Sequence, residues 1–195
     1  MSSNIGGGNL AGGNPSRGRV DNDYYATPQD ATELFLEKFN NDLGNVIYEP
    51  ACGEGHISHV LEKMYPNSNI ISSDLVNRGY GFQRDFLESD CEFNVDTVIT
   101  NPPFKFAQEF IEKGLSIANK YVIVFAKIQF LEGKARKEFF AKNPPKYVYV
   151  HSSRVNPLRN GSEVDENGKK WSSTMCFAWF VFEKDFNGET IVRWL

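Results

Sequence analysis

Asn101, Pro102, Pro103 and Phe104 are the residues of this chain whose types and order can do chemistry. Two consecutive prolines fix two φ angles and remove two backbone donors. Each also drives its predecessor toward an extended conformation. The loop is therefore stiff, and its carbonyls are not absorbed into a helix. It opens on a carboxamide and closes on a flat aromatic ring. A planar amine can donate to the Asn101 side-chain oxygen and to the Pro102 carbonyl while its ring stacks on Phe104. Such a grip acts by positioning and preorganised electrostatics. A neutral amide assists as an acceptor and does not permanently remove a proton.

A second group stands upstream. Val46-Ile47-Tyr48 reads as a short buried strand running into Glu49-Pro50-Ala51-Cys52-Gly53-Glu54-Gly55. The helix expected next carries Ile57, Val60, Leu61 and Met64 on one face. Strand, glycine-rich turn and helix make a ligand cradle, because glycine admits close backbone approach and a helix N-terminus is rich in donors. Asp74 ends the next strand, Ile70–Ser73, about 20 residues after the glycines. An acid at that separation commonly accepts hydrogen bonds from ribose hydroxyls.

The remaining elements must hold these two groups together. Thr27 is expected as an N-cap with Pro28 in the first helical position, ahead of Leu34, Phe35 and Phe39. Asp85-Phe86-Leu87 ends a third short unit. Val95–Thr100 is a fourth strand that delivers the tetrapeptide, and the helix after it carries Phe106, Phe110, Ile111 and Leu115. Tyr121–Phe125 reads as a fifth strand, 131–142 as a helix with Phe139 and Phe140 inward, and Tyr147–Val150 as a sixth strand. Thr174–Glu183 is the seventh, with 191–195 as an edge strand. Alternating strands and helices predict a mostly parallel α/β sheet. No helix separates strands six and seven, so they are expected to pair antiparallel. The polar stretch 151–173 between them holds His151, Arg154, Arg159, Lys169, Lys170 and Trp171. A loop that long within a compact domain is commonly functional.

Composition bounds the rest. A chain of 195 residues, 41% hydrophobic and 24% charged, suits one domain with a sizeable core. Residues 1–20, rich in glycine and nearly free of apolar side chains, are expected to be a disordered leader, with one domain over 21–195. No apolar run reaches the ~20 residues of a membrane span, and no signal peptide is visible. Cys52, Cys91 and Cys176 lie far apart without metal-type spacing, so free thiols in the cytoplasm and no metal are expected. The net charge of −4 requires any nucleic-acid binding to come from a local basic patch.

These ordered motifs resemble the class I S-adenosylmethionine-dependent methyltransferases, in particular the N6-adenine branch. The resemblance covers about residues 23–183. It implies a Rossmann-like sheet, mostly parallel and seven-stranded with an antiparallel last strand, and S-adenosylmethionine as cofactor. It implies that Tyr24, Thr27 and Pro28 close over the cofactor's methionine part. Glu49, Pro50, Ala51, Cys52, Gly53 and Gly55 match the cofactor loop, and Asp74 the ribose-binding acid. Asp85 and Phe86 match the pair that contacts the cofactor's adenine, and Asn101, Pro102, Pro103 and Phe104 match the catalytic tetrapeptide. The tetrapeptide begins with Asn where many members have Asp, and no separate target-recognition domain is expected after the seventh strand. The 151–173 loop lies where relatives meet the extruded base, so His151, Arg154, Arg159, Lys169, Lys170 and Trp171 are expected to bind substrate, with specificity low or set by a protein partner. The leading expectation is N6-adenine methylation of DNA by a phage or mobile-element enzyme. Adenine in RNA, a protein glutamine side chain, and a non-catalytic cofactor-binding module are the alternatives.

Overall fold

The computed structural model describes residues 25–156, 158–159, 167–168 and 175–195. In chain order the strands are β1 (Tyr25–Ala26), β2 (Val46–Glu49), β3 (Asn69–Asp74), β4 (Phe82–Gln83), β5 (Val95–Thr100), β6 (Ala118–Lys127), β7 (Tyr147–Val150), β8 (Leu158–Arg159), β9 (Phe177–Glu183) and β10 (Ile191–Trp194). The α-helices are α1 (Gln29–Phe39), α2 (His56–Met64), α3 (Ala107–Ile117) and α4 (Lys134–Lys142).

Eight strands form one sheet in the order β10-β7-β9-β6-β5-β2-β3-β4, and β1 pairs with β8 in a separate two-stranded ribbon. Among the described strands of the large sheet only β9 runs antiparallel to its neighbours, β6 and β7. The expected fold class stands, and two details are corrected. The sheet has eight strands rather than seven, and the antiparallel strand is interior, with β10 closing the edge parallel to β7. A strand as apolar as β9 explains the placement: six of its seven residues are buried, so it must be covered on both faces and both edges.

Alternation along β9 divides the core in two. Phe177, Trp179 and Val181 face one cluster with Phe35, Leu36 and Phe39 of α1 and Ile57, Val60 and Leu61 of α2. Ala178, Phe180 and Phe182 face the other, with Phe110 and Ile111 of α3 and Phe139 of α4. Gly114 sits where a Cβ would lie 3.0 Å from the Val122 methyls, which lets α3 lie close against β6.

The chain turns to opposite sides of β2: β3 flanks it on one edge and β5 on the other. Such a switch point opens a crevice at the carboxyl ends of the strands. Glu49, Asp74 and the tetrapeptide all stand at those ends.

The expected N-cap does not form. Helix α1 starts after Pro28 with no side-chain cap, and the Thr27 hydroxyl is used elsewhere. The helix expected over 131–142 begins only at Lys134, after a 3-10 turn (Ile128–Leu131) and Gly133. The tetrapeptide likewise runs into a 3-10 turn, Phe104–Phe106, before α3.

Candidate active site

The cavity at the switch point has a volume of about 340 Å³. That lies within the ~300–1,000 Å³ of small-molecule sites. Of the glycine-rich loop, Glu49, Pro50, Ala51 and Cys52 line the cavity, and Gly53 and Gly55 do not. Gly53 (φ 55°) and Gly55 (φ 83°) occupy the left-handed region that side chains disfavour. A Cβ on Gly55 would also lie 2.7 Å from the Tyr80 ring. The loop is tied down from the next strand. Asp74 Oδ2 accepts from the Gly53 amide at 2.8 Å, and the Cys52 amide donates to the Ser73 carbonyl at 2.9 Å. Asp74 Oδ1 accepts from the Val76 amide at 2.9 Å, which fixes the carboxylate at the wall of the cavity.

Glu49, at the end of β2, is 1% exposed and lines the same cavity. Burial pushes its carboxyl up to about 8, against the opposing effect of a hydrogen bond from the Ser58 hydroxyl. The Ser58 and Ser72 hydroxyls are 2.6 Å apart and extend this buried network. Cys52 is buried beside Glu49 and Asp74, and burial pushes its thiol up to about 12, so it stays protonated and inert. Pro50 and Ala51 also line the cavity.

Asp85 Oδ1 accepts from the Leu87 amide at 3.0 Å, a local turn that presents Asp85 and Phe86 to the cavity. Phe86 is buried against Tyr48 and Phe110. His56, Arg78 and Leu75 also line the wall, as does Phe106, which the sequence places on an apolar helix face and not at the site. His56 Nδ1 is buried and has no hydrogen-bond partner among the described residues. Leu75 and Phe106 are apolar yet 57% and 37% exposed, surface that a bound ring would cover. Residue types alone gave no signal for these four. The turn after β3 brings in Leu75 and Arg78, the 3-10 turn after the tetrapeptide brings in Phe106, and the start of α2 brings in His56.

Asn101 and Pro103 form the opposite wall. Asn101 Nδ2 donates to the Tyr25 carbonyl at 2.7 Å and to Thr27 Oγ1 at 3.0 Å. The reverse amide orientation would put Oδ1 against the Tyr25 carbonyl, two acceptors face to face. Both amide hydrogens are therefore used, and Oδ1 is left to accept. This explains the Thr27 correction: its hydroxyl orients Asn101 instead of capping α1. Pro28, which precedes α1, is half-buried.

The substrate-side residues are less assembled. Phe104 does not line the cavity. Its ring stacks on Tyr25 at 5.8 Å, with the Lys127 ammonium 4.0 Å from its centroid. His151 is 9% exposed and meets the edge of Phe125, so it is not presented for stacking; burial lowers its pKa to about 4. Arg154 is exposed, and the Arg159 backbone pairs with Tyr25 in the ribbon. Tyr24, Lys169, Lys170, Trp171 and the 1–20 leader lie outside the described residues.

Fold and cavity together define a class: the chain has the fold of the class I S-adenosylmethionine-dependent methyltransferases. Over 87% of its length it superposes on a candidate RNA methyltransferase from Pyrococcus horikoshii, covering 92% of that chain with a TM-score of 0.63 at 16% identity. Over 84% it superposes on the methyltransferase subunit of a type I restriction-modification system from Streptococcus thermophilus, covering 45% of that chain with a TM-score of 0.59 at 13% identity. In sequence it is 29% identical over 96 residues to the type II methyltransferase M.CvrRI of Paramecium bursaria Chlorella virus XZ-6E. That match takes in 44% of this chain and spans about a quarter (25%) of the relative's length. No protein-family model matches.

The residues fit S-adenosylmethionine on their own chemistry. Glu49 and Asp74 offer carboxylates to an ammonium and to ribose hydroxyls, His56 Nδ1 is a buried polar atom lacking a partner, and Leu75, Phe86 and Phe106 offer apolar surface to an adenine.

Proposed function

We propose that this protein transfers a methyl group from S-adenosylmethionine to the N6 amine of adenine in DNA. The observation that carries the reading is the Asn101 amide, pinned through Nδ2 so that Oδ1 is an acceptor at the cavity wall. The bound cofactor supplies an electron-poor methyl carbon on a sulfonium. The protein's part is to hold the nitrogen. Asn101 Oδ1 and the Pro102 carbonyl accept its two N–H groups, which draws the lone pair out of the ring and toward the cavity. As the N–C bond forms, the methyl's old bonding pair stays on sulfur and the amine's extra proton passes to water. No strong base is required, in keeping with a neutral amide at position 101.

In this reading Asp74 holds the ribose, Glu49 and the Gly53–Gly55 loop hold the methionine end with Thr27 and Pro28 near it, and Asp85 and Phe86 hold the cofactor's adenine. In a duplex the target base must leave the stack at a cost of a few kcal/mol. The type II and type I methyltransferase relatives support DNA as the substrate. The Pyrococcus neighbour, a candidate RNA methyltransferase, supports RNA in place of DNA, and adenine in RNA is the second reading. Arg154, together with Arg159, Lys169 and Lys170, would supply the basic contacts that a chain of net charge −4 needs locally, with Trp171 available to stack.

The test is transfer of a labelled methyl group from S-adenosylmethionine to DNA, RNA or cell extract, followed by digestion and identification of the modified nucleoside or residue. N6-methyladenine from DNA is expected. Label confined to RNA supports the second reading. Label confined to protein glutamine, or cofactor binding without transfer to any acceptor, overturns both.

A further inference from the structure

Phe104 already has three partners against its ring, Tyr25, Lys127 and Phe177. A base laid on that ring must separate or displace one of them. The Lys127 ammonium is only 4.0 Å from the centroid, a close cation–π contact. The Tyr25 ring is farther, at 5.8 Å, and tilted by only 25°. Stacked bases lie ~3.4 Å apart, so a base between two parallel rings needs about 7 Å. The Tyr25 and Phe104 rings are stacked on one another with centroids 5.8 Å apart, so a base enters between them only when the tyrosine ring swings away.

We propose that Tyr25 is the second wall of a base-binding slot, and that the target adenine enters between the Tyr25 and Phe104 rings with its amine against Asn101. The inference rests on the adenine reading and deepens it. Its strength is that one residue serves both halves of the recognition. The Tyr25 carbonyl holds the Asn101 amide at 2.7 Å, while the Tyr25 ring covers Phe104. The acceptor and the two walls are thus fixed to one another, which sets the height of the amine relative to the plane of the base. Without a base, the tyrosine ring takes the place of one and keeps Phe104 covered. Among the described residues the ribbon pairs Tyr25 with Arg159 and Ala26 with Leu158, and opening the slot is a rotation of the Tyr25 side chain with its carbonyl kept on Asn101. Two aromatic walls contact both π-faces of whichever base enters, so the slot grips bases in general and leaves the choice of adenine to Asn101 and the Pro102 carbonyl.

The test uses the full chain and a duplex of the sequence that the wild type methylates, with 2-aminopurine in place of the target adenine and S-adenosylhomocysteine present. In the wild type the extruded 2-aminopurine lies between two rings and its emission stays quenched. Tyr25→Leu keeps the bulk and the carbonyl but removes the ring. Its emission should rise several-fold and KM for unmodified DNA should rise about 10-fold or more, with a smaller change in cofactor Kd. Tyr25→Phe should behave as the wild type in both readouts. Wild-type KM and emission in Tyr25→Leu, in a protein that transfers methyl groups normally, overturns the slot and leaves the adenine reading standing. No transfer to adenine by the wild type overturns both. If Tyr25→Leu fails to fold, Tyr25→His takes its place, expected to lie between Phe and Leu in KM; equality of His with Phe and wild type together with unquenched wild-type emission overturns the slot.

Discussion

The two sides of the site are built differently. The cofactor side, at the ends of β2 and β3, is made of short turns closed by their own neighbours. Asp74 reaches Gly53, Asp85 reaches Leu87, and the glycines' dihedrals set the curve. The target side is made of residues far apart in the chain: Asn101 is held by Tyr25, 76 positions away, and Phe104 is covered by Tyr25, Lys127 and Phe177. A site closed locally is formed as soon as its two strands pair. A site closed across the fold depends on the β1–β8 ribbon being in place, so the two sides should fail separately under mutation.

The largest effect is expected at Asn101. Asn101→Ala should lower transfer by ~10²-fold or more while cofactor Kd stays close to wild type, read by single-turnover kinetics and calorimetry. Asn101→Asp sharpens the comparison. A carboxylate there faces the Tyr25 carbonyl with no hydrogen to offer, so a large loss is expected even though many relatives carry Asp; activity near wild type would mean that the amide lock is unimportant. Asp74→Ala should do the reverse and weaken cofactor binding ~10- to 100-fold, as expected for loss of charge-assisted hydrogen bonds, with transfer at saturating cofactor largely kept.

Glu49 gives a pH-dependent way to break the same comparison. Its folded-state pKa, about 8, lies above the ordinary 4.5. The folded protein therefore binds the extra proton between those values. Its contribution to stability is fully present below about 4.5 and is lost as pH rises through about 8. Thermal unfolding of the cofactor-free protein should fall from pH 5 to pH 8 more steeply in the wild type than in Glu49→Gln. Cofactor affinity should move the other way, rising with pH toward 8, because a cationic ligand favours the carboxylate. A flat affinity profile in the wild type would remove Glu49 from contact with the cofactor's ammonium. The smallest effect is expected at exposed Arg154, where Ala should weaken DNA binding uniformly across sequences and reduce the salt slope by about 1, measured by titration at several salt concentrations.

The turn and strand ends of the proposed cofactor side were legible in the sequence, because their signals are local. A turn that must curve through positive φ shows itself as glycine, and an acid that ends the next strand appears at a fixed distance along the chain. Strand alternation and apolar runs likewise made the α/β sheet legible. The tertiary structure alone decided what depends on burial and on contacts across the fold. Thr27 reads as a helix cap, since a hydroxyl before Pro-Gln-Asp commonly is one, yet its oxygen is claimed by an amide 74 positions away. His151 reads as a surface ring, and the Phe125 edge buries it. Whether a polar side chain serves its own neighbours or a distant partner is set by which of them the packed core brings within hydrogen-bond reach.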